Sequence, residues 1–302
     1  MSTDVQIFCS ACKSGDLNLA RTLLSLQENG TQGRNEFVNA TTKTGWTPLL
    51  QAAAKGHFDI IQLLTHHKAD INVGHKADGW TPLYFASQNA HAASALRRFP
   101  DESSALVVRH LLDLKANIKA RTRSGETPLH IATRNDHEAI VLALLQARSD
   151  PNGESNAGAS PVHVASRLFS TGTLSNLLRF KGSISTPTVT DGATPLFAAL
   201  KSRCIYAVML LLRQCAALKA KNKAGQTPLQ MASALGYKGM ATIFEETLQQ
   251  QAEQKALARC LIAKVKPAAA HDVPGFLWRR LFGGPTTEQQ QRAFLPMRST
   301  WL

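Results

Sequence analysis

Thr127-Pro128-Leu129-His130-Ile131-Ala132 is the stretch on which the reading of this chain turns. Threonine is a good helix N-cap, and proline at the first helical position brings its fixed φ and needs no N–H there. Leu129 and the small Ala132 then fall on one side of a short helix, which can pack closely on its neighbours. The phrase has five relatives: Thr47–Ala52 (TPLLQA), Thr81–Ala86 (TPLYFA), Ser160–Ala165 (SPVHVA), Thr194–Ala199 (TPLFAA) and Thr227–Ala232 (TPLQMA). In chain order the steps between the six copies are 34, 46, 33, 34 and 33 residues. A period of that length means an array of small stacked units rather than one folded core.

An apolar segment follows each copy: Ile60–Leu64, Leu106–Leu112, Ile140–Leu145, Leu174–Leu178, Ala207–Leu212 and Met240–Phe244. Apolar residues three and four apart predict helices buried along one face. A single helix pair cannot bury that face alone, so stacking is what stabilises it. Phrase and period together resemble the ankyrin repeat. The resemblance implies an all-α repeat solenoid: stacked helix-turn-helix pairs joined by short hairpin loops, plus a C-terminal helical extension. Val5–Leu24 resembles the same pair without the opening phrase, with Ala11 in the alanine position and Gly15-Asp16-Leu17 at the turn, as a capping repeat does. The expected organisation is an array of about seven repeats over 1–245, a helical extension over 246–266 and a Pro/Gly-containing tail over 267–302.

Two insertions break the period. Extra length falls at Gln27–Glu36, a polar loop by composition, and near Asn89–Ser104. Such insertions are either tolerated surface excursions or part of a binding face. The family's usual Gly-Ala after the second helix is replaced here by Lys68, Lys115, Arg148, Lys181 and Cys215. A non-glycine residue in the left-handed conformation expected there costs on the order of 1 kcal/mol. A cation at a helix C-terminus recovers a few tenths of that. Repeat four, with its SPVH opening, is the most divergent and the one expected to open first.

In ankyrin proteins, ligands usually meet the hairpin tips and the exposed positions of the first helices. Carried over by position, the resemblance places Lys43, Trp46, Lys76, Trp80, Arg123, Glu126, Lys223 and Gln226 at tips. It places Lys55, Gln88, Asn89, Arg134, Asn135, Arg167 and Lys201 on first helices. The protein-binding candidates are Lys43, Trp46, Lys76, Trp80, Arg123, Arg134, Arg167, Lys201 and Lys223. Their charge reads either as a stripe for an acidic protein segment or as ordinary solvated cations. The tryptophans read either as binding anchors or as rings packed on the neighbouring hairpin. His130 and His163 match the family's histidine, which hydrogen-bonds between repeats and needs no catalytic role.

Net charge is +13. Basic and acidic residues number 9 and 7 in residues 1–100, 17 and 10 in 101–245, and 8 and 4 in 246–302. The middle and tail are therefore where an acidic partner is drawn. Cys9-x-x-Cys12 stands alone on a helix, His66-His67 has no third ligand at suitable spacing, and no nucleotide, metalloprotease or hydrolase motif occurs. No catalytic residue, metal or cofactor is expected. The start, MSTDVQIFCSACKSGD, does not read as a secretory signal, five irregularly spaced cysteines do not form a disulfide framework, and no stretch has the length of a membrane span. A cytoplasmic or nuclear monomer is the expectation.

The sequence thus reads as a non-enzymatic adaptor or scaffold holding an acidic protein segment on a concave basic face. The alternative is binding of a polyanion, either nucleic acid or an acidic membrane surface. Phe276–Phe282 (FLWRRLF) is a candidate for a partner groove, a membrane surface or folding back on the array. Thr247-Leu248, Ala252 and Ala256 faintly echo a box that recruits ubiquitin-ligase subunits, although helical spacing alone explains them.

Overall fold

In the computed structural model the described residues are 3–26, 31–89, 100–169, 171–214 and 216–264. They form helices and turns, with no strand among them. The chain divides into two compact units, Met1–Met231 and Ala232–Leu302.

Within the first unit the helices come in pairs. α1 (Thr3–Ser14) and α2 (Leu17–Leu26) make the opening pair, and α3 (Thr31–Val38) is interposed after it. α4 (Pro48–Lys55) pairs with α5 (Phe58–His66), and α6 (Pro82–Gln88) with α7 (Pro100–Asp113). α8 (Pro128–Arg134) and α9 (Glu138–Gln146), α10 (Pro161–Ala165) and α11 (Thr171–Arg179), and α12 (Pro195–Lys201) and α13 (Ile205–Arg213) complete the unit's pairs. Every first helix from α4 onward in this unit begins at the proline of the repeated phrase. Thr47 and Thr81 are extended at the N-cap and accept the N–H of Leu50 and Tyr84 through Oγ1, both at 3.3 Å. First helices stack in series, α1 on α4 and on through α6, α8, α10 and α12, and second helices stack as α2, α5, α7, α9, α11 and α13. The alanines of the phrase, Ala52, Ala86, Ala132, Ala165 and Ala199, are buried where these helices approach. Ile60, Leu64, Leu111, Ile140, Leu144, Leu174, Leu177 and Leu211 fill the space between layers. Each such fully buried side chain contributes about 1.5–3 kcal/mol.

Three sets of hydrogen bonds tie successive pairs together. His130 Nδ1 accepts from Thr127 N at 3.2 Å while Nε2 donates to Ala159 O at 3.0 Å in the next repeat. His163 does the same between Ser160 N and Ala193 O, at 3.2 and 3.1 Å. At the caps of the second helices, His57 Nε2 reaches Lys13 O at 3.0 Å, His137 Nε2 reaches Gln88 O at 3.1 Å, and Cys204 Sγ donates to Leu168 O at 2.9 Å. Beyond the second helices, Asn39, Asn72 and Asn152 accept through Oδ1 from Asp70 N, Asn117 N and Ser183 N at 2.6–2.7 Å. Polar groups that stacking would bury are thereby satisfied between neighbours.

The helix ends take the expected left-handed residues. Lys68, Lys115, Arg148 and Lys181 have φ of 60°, 66°, 67° and 66°. The N–H that follows each bonds back to Leu64, Leu111, Leu144 and Leu177 at 2.9–3.0 Å, closing the helix as a Schellman turn does. Cys215 lies outside the described residues.

Two expectations change. The polar stretch Gln27–Glu36 is not simply loop: residues 27–30 lie outside the described residues, but from Thr31 the chain is helical to Val38. Phe37 and Val38 at the end of α3 are buried, and the Phe37 ring stacks on Phe8 at 4.7 Å, so apolar anchoring overrides the polar composition before it. The end of the second insertion, Pro100–Ser104, already belongs to α7; residues 90–99 lie outside the described residues.

α14 (Pro228–Ala234) crosses the boundary between the units. In the second unit, Tyr237 N donates to Ala232 O at 2.9 Å and Gly236 is left-handed at φ 75°, the same turn that joins earlier pairs. α15 then runs unbroken from Lys238 to Lys264, 27 residues, so the predicted last second helix and the helical extension are one element. The tail from 267, including Phe276–Phe282, lies outside the described residues.

Candidate interaction face

Four of the hairpins between one pair and the next begin with a threonine or serine whose hydroxyl closes the turn, and Asn222 Oδ1 does the same in the last. Thr42 Oγ1 accepts from Trp46 N at 3.0 Å, and Thr122 Oγ1 from Glu126 N at 3.1 Å. Neighbouring tips are joined by backbone bonds: Arg123 N to Asp78 O, Asn156 N to Ser124 O, Val189 N to Ala157 O and Lys223 N to Asp191 O, at 2.9–3.2 Å. Tips from four successive hairpins and the one after them therefore make a continuous edge. The hairpin of Lys43 and Trp46 joins this edge through His75 Nε2 and Thr44 O at 3.1 Å, so the edge carries the tip residues the resemblance singles out, with Arg134, Arg167 and Lys201 behind it at the first helices.

The candidates fall into three groups. Lys43, Lys76 and Arg167 are exposed and make no side-chain hydrogen bond or ion pair with another described residue. Arg123 Nη2 donates to Lys76 O at 3.2 Å, and Lys223 Nζ donates to Val189 O. Carbonyl partners hold these two cations in place without neutralising them. Arg134 and Lys201 differ. Arg134 forks onto both carboxylate oxygens of Glu126, one of them at 3.1 Å, and Lys201 pairs with Asp191. In each case an acid at the tip is matched by a base on the first helix of its own repeat. The Lys201 and Thr188 hydrogen bonds hold the Asp191 carboxyl well below the usual carboxylate range. Exposed pairs of this kind contribute about 0–1 kcal/mol. Their electrostatic effect is larger: they remove Glu126 and Asp191 as competitors and leave Lys43, Lys76, Arg123 and Lys223 in excess over Asp78, the acid beside Lys76.

Trp46 and Trp80 are half-buried. The Trp46 ring lies 4.9 Å from both His75 and Phe85, and the Trp80 ring lies 5.1 Å from Tyr84 and 5.3 Å from Phe85. Both tryptophans thus pack on the buried Phe85 of α6, Trp46 from the preceding repeat and Trp80 from the same one. Tyr84 Oη also donates to Glu126 at 3.4 Å, linking this aromatic group to the Glu126–Arg134 pair, and burial pushes the Tyr84 hydroxyl pKa up.

His130 and His163 are buried, and desolvation first of all drives their pKa values down, so both stay neutral bridges at neutral pH. Cys9 and Cys12 are buried in α1; burial pushes the Cys9 thiol up to about 11, and burial with the neighbouring Cys9 raises Cys12 further. Protonated thiols are neither nucleophiles nor ready metal ligands. Among the described residues no cluster of three or more His, Cys, Asp or Glu is placed to hold a metal ion. No helix among them is long and apolar enough to cross a membrane.

The family model for ankyrin repeats in three copies matches residues 8–99, 75–155 and 95–182. Over 169 residues the chain is 31% identical to neurogenic locus notch homolog protein 2 of Homo sapiens and of Mus musculus, and over 167 residues it is 29% identical to neurogenic locus notch homolog protein 1 of Cricetulus griseus. Each match covers 55% of this chain and only 7% of the relative, so the likeness is confined to one region of those proteins. The prolines that open the helices, the stacked pairs and the family match over more than half of the chain agree: this protein belongs to the ankyrin-repeat family.

Proposed function

We propose that the chain is a non-enzymatic adaptor or scaffold that holds an acidic segment of a partner protein along its hairpin edge. Ankyrin repeats are protein-interaction modules, which supports the general class. One observation carries the finer reading. The tip acids Glu126 and Asp191 are taken up by Arg134 and Lys201, while Lys43, Lys76, Arg123 and Lys223 have no acidic partner among the described residues. Uncompensated cations along a hydrogen-bonded edge favour an acidic ligand and speed its encounter. Aromatic residues anchored at the same edge suit a protein segment, which offers apolar side chains as well as charge.

The test is capture of partners from lysate on the full chain, with and without nuclease, against a Lys43→Glu/Lys76→Glu/Arg123→Glu/Lys223→Glu variant. The wild-type chain is expected to retain proteins with acidic segments, and the variant to lose them. Retention of the same set by the variant overturns the reading. Binding that disappears with nuclease, with a steep loss of affinity as salt rises, places the chain among polyanion binders instead.

A further inference from the structure

We propose that the outer face of α13, together with Phe169, is a second docking surface, for an acidic amphipathic segment of a partner protein. Ile205, Tyr206 and Met209 are 55%, 68% and 44% exposed, and Phe169 is 72% exposed. At helical spacing i, i+1 and i+4 the three α13 residues form one stripe. The Cys204 Sγ bond to Leu168 O ties the backbone beside Phe169 to the start of this helix. Exposed apolar residues scattered singly need no explanation, but four large ones at one junction do.

The other second helices show that this stripe is not a requirement of the fold. The capping bonds of His57, His137 and Cys204 put α5, α9 and α13 in register, and the buried Leu174 and Leu177 of α11 match Val208 and Leu211 of α13. Where α13 has Ile205, Tyr206 and Met209, α5 has Phe58, Asp59 and Gln62, and α9 has Glu138, Ala139 and Leu142. On α11, the helix packed beside α13, Thr171, Gly172 and Ser175 take those places. Bulky side chains on α13 therefore stand next to small ones on α11, bounded on the far side by the Glu138 side chain against Gly172, which makes a step suited to a peptide rather than a smooth dome.

Charge argues for an acidic occupant. From residue 155 to 244 the chain carries ten basic residues and a single acid, Asp191, which is already paired with Lys201. α11 and α13 contain no acid of their own; the carboxylates that reach α11 from the preceding repeat, Glu138 on Asn176 and Asp136 on Thr173, are hydrogen-bonded there, and the exposed cations Arg167 and Arg213 flank the stripe. An amphipathic helix laid on the step buries its apolar side on Phe169, Ile205, Tyr206 and Met209 and presents its carboxylates to those arginines. This surface is separate from the hairpin edge: α12 leads from the Asp191 tip for seven residues, about 10 Å at 1.5 Å per residue, before α13 starts at its far end. The inference does not rest on the reading of the edge.

The test is selection of helical peptides from a displayed random library on the immobilised full chain, followed by affinity measurement with labelled peptides. Enriched peptides are expected to combine Asp or Glu with Leu, Phe or Trp at helical spacing. A Phe169→Ser/Tyr206→Ser/Met209→Ser variant is expected to weaken them by about tenfold or more, as loss of a buried apolar anchor does. Arg167→Gln/Arg213→Gln is expected to weaken them by a few-fold and flatten the salt dependence, while the four-fold Glu variant of the hairpin edge binds as the wild type does. A single Tyr206→Ser variant, checked by thermal melting, keeps the test valid if the triple variant unfolds. Peptides that ignore the α13 substitutions, or that are lost only with the edge variant, overturn the proposal. So does a result in which those substitutions abolish self-association or binding to phosphatidylserine vesicles while no peptide is selected.

Discussion

The repeats that open at Thr127 and Ser160 and those that open at Thr47 and Thr81 solve the same packing problem with different chemistry. In the first two, a buried histidine caps its own helix and donates to the next repeat, at Ala159 O or Ala193 O. In the other two, Leu50 and Tyr84 stand where the histidine would be; Leu50 has no polar atom to bridge with, and Tyr84 Oη donates instead to Glu126 at 3.4 Å. Trp46 on Phe85 adds a contact between repeats, and Trp80 supports Phe85 from within its own repeat. One pair of repeats carries the buried histidine bridge, while the other adds aromatic area to bonds such as His75 Nε2 to Thr44 O at 3.1 Å. The difference predicts which repeats respond to acid and which to loss of volume.

The largest effect belongs to the aromatic repeats. Phe85→Ala is expected to cost about 3–5 kcal/mol in denaturant unfolding, because it removes a buried ring on which two tryptophans rest. A smaller cost, about 2–4 kcal/mol, is expected for His130→Ala, which leaves the Thr127 N–H and the Ala159 carbonyl without their partner. His130→Gln should recover part of it. Repeat six shows how: Gln230 Oε1 accepts from Thr227 N at 2.9 Å, the same cap that His130 makes. If alanine and glutamine are equally damaging, the capping role assigned to this position is wrong.

Acid should separate the two kinds of repeat. The fold holds His130 and His163 neutral with lowered pKa values, chiefly by desolvation. The unfolded chain therefore binds more protons below about pH 6.5, the ordinary imidazole value. Their contribution is complete above that pH and drains away as pH falls toward the lowered values. Amide exchange between pH 7.5 and 5, corrected for intrinsic rate, should show loss of protection first around α8 to α11, where divergent repeat four also lies. In a His130→Gln/His163→Gln variant the pH dependence of stability should flatten. Uniform loss over α4 to α11 would erase the distinction between histidine-held and aromatic-held repeats.

Two smaller effects refine the picture. Arg148→Gly removes a side chain from a residue at φ 67° and should raise stability by about 0.5–1 kcal/mol, visible as a higher melting temperature. Lys201→Ala breaks an exposed ion pair and should change stability by less than about 1 kcal/mol.

Much of the fold is legible in the sequence because each repeat states its own start. Proline marks the first helix, the phrase's alanine marks a close approach, and Lys68, Lys115, Arg148 and Lys181 mark the ends where a left-handed residue is required. α3 is not legible, since its polar first turns say loop and only Phe37 and Val38 report burial. The ladders through His57, His137, Cys204, Asn39, Asn72 and Asn152 also escape a reading of periodicity. They join residues some 30 to 50 positions apart through caps of different chemistry. At the interaction edge, the candidate cations can be found by position. Their pairing cannot, because Glu126 to Arg134 spans eight residues and Asp191 to Lys201 spans ten, a spacing with no fixed period.

The most direct test of the proposed edge is amide hydrogen exchange on the full chain, free and bound to its most strongly captured partner. New protection is expected at residues 43–46, 76–80, 123–126 and 223–226, with no change across 205–213. Protection confined to 205–213, or none at the hairpin tips, would contradict it.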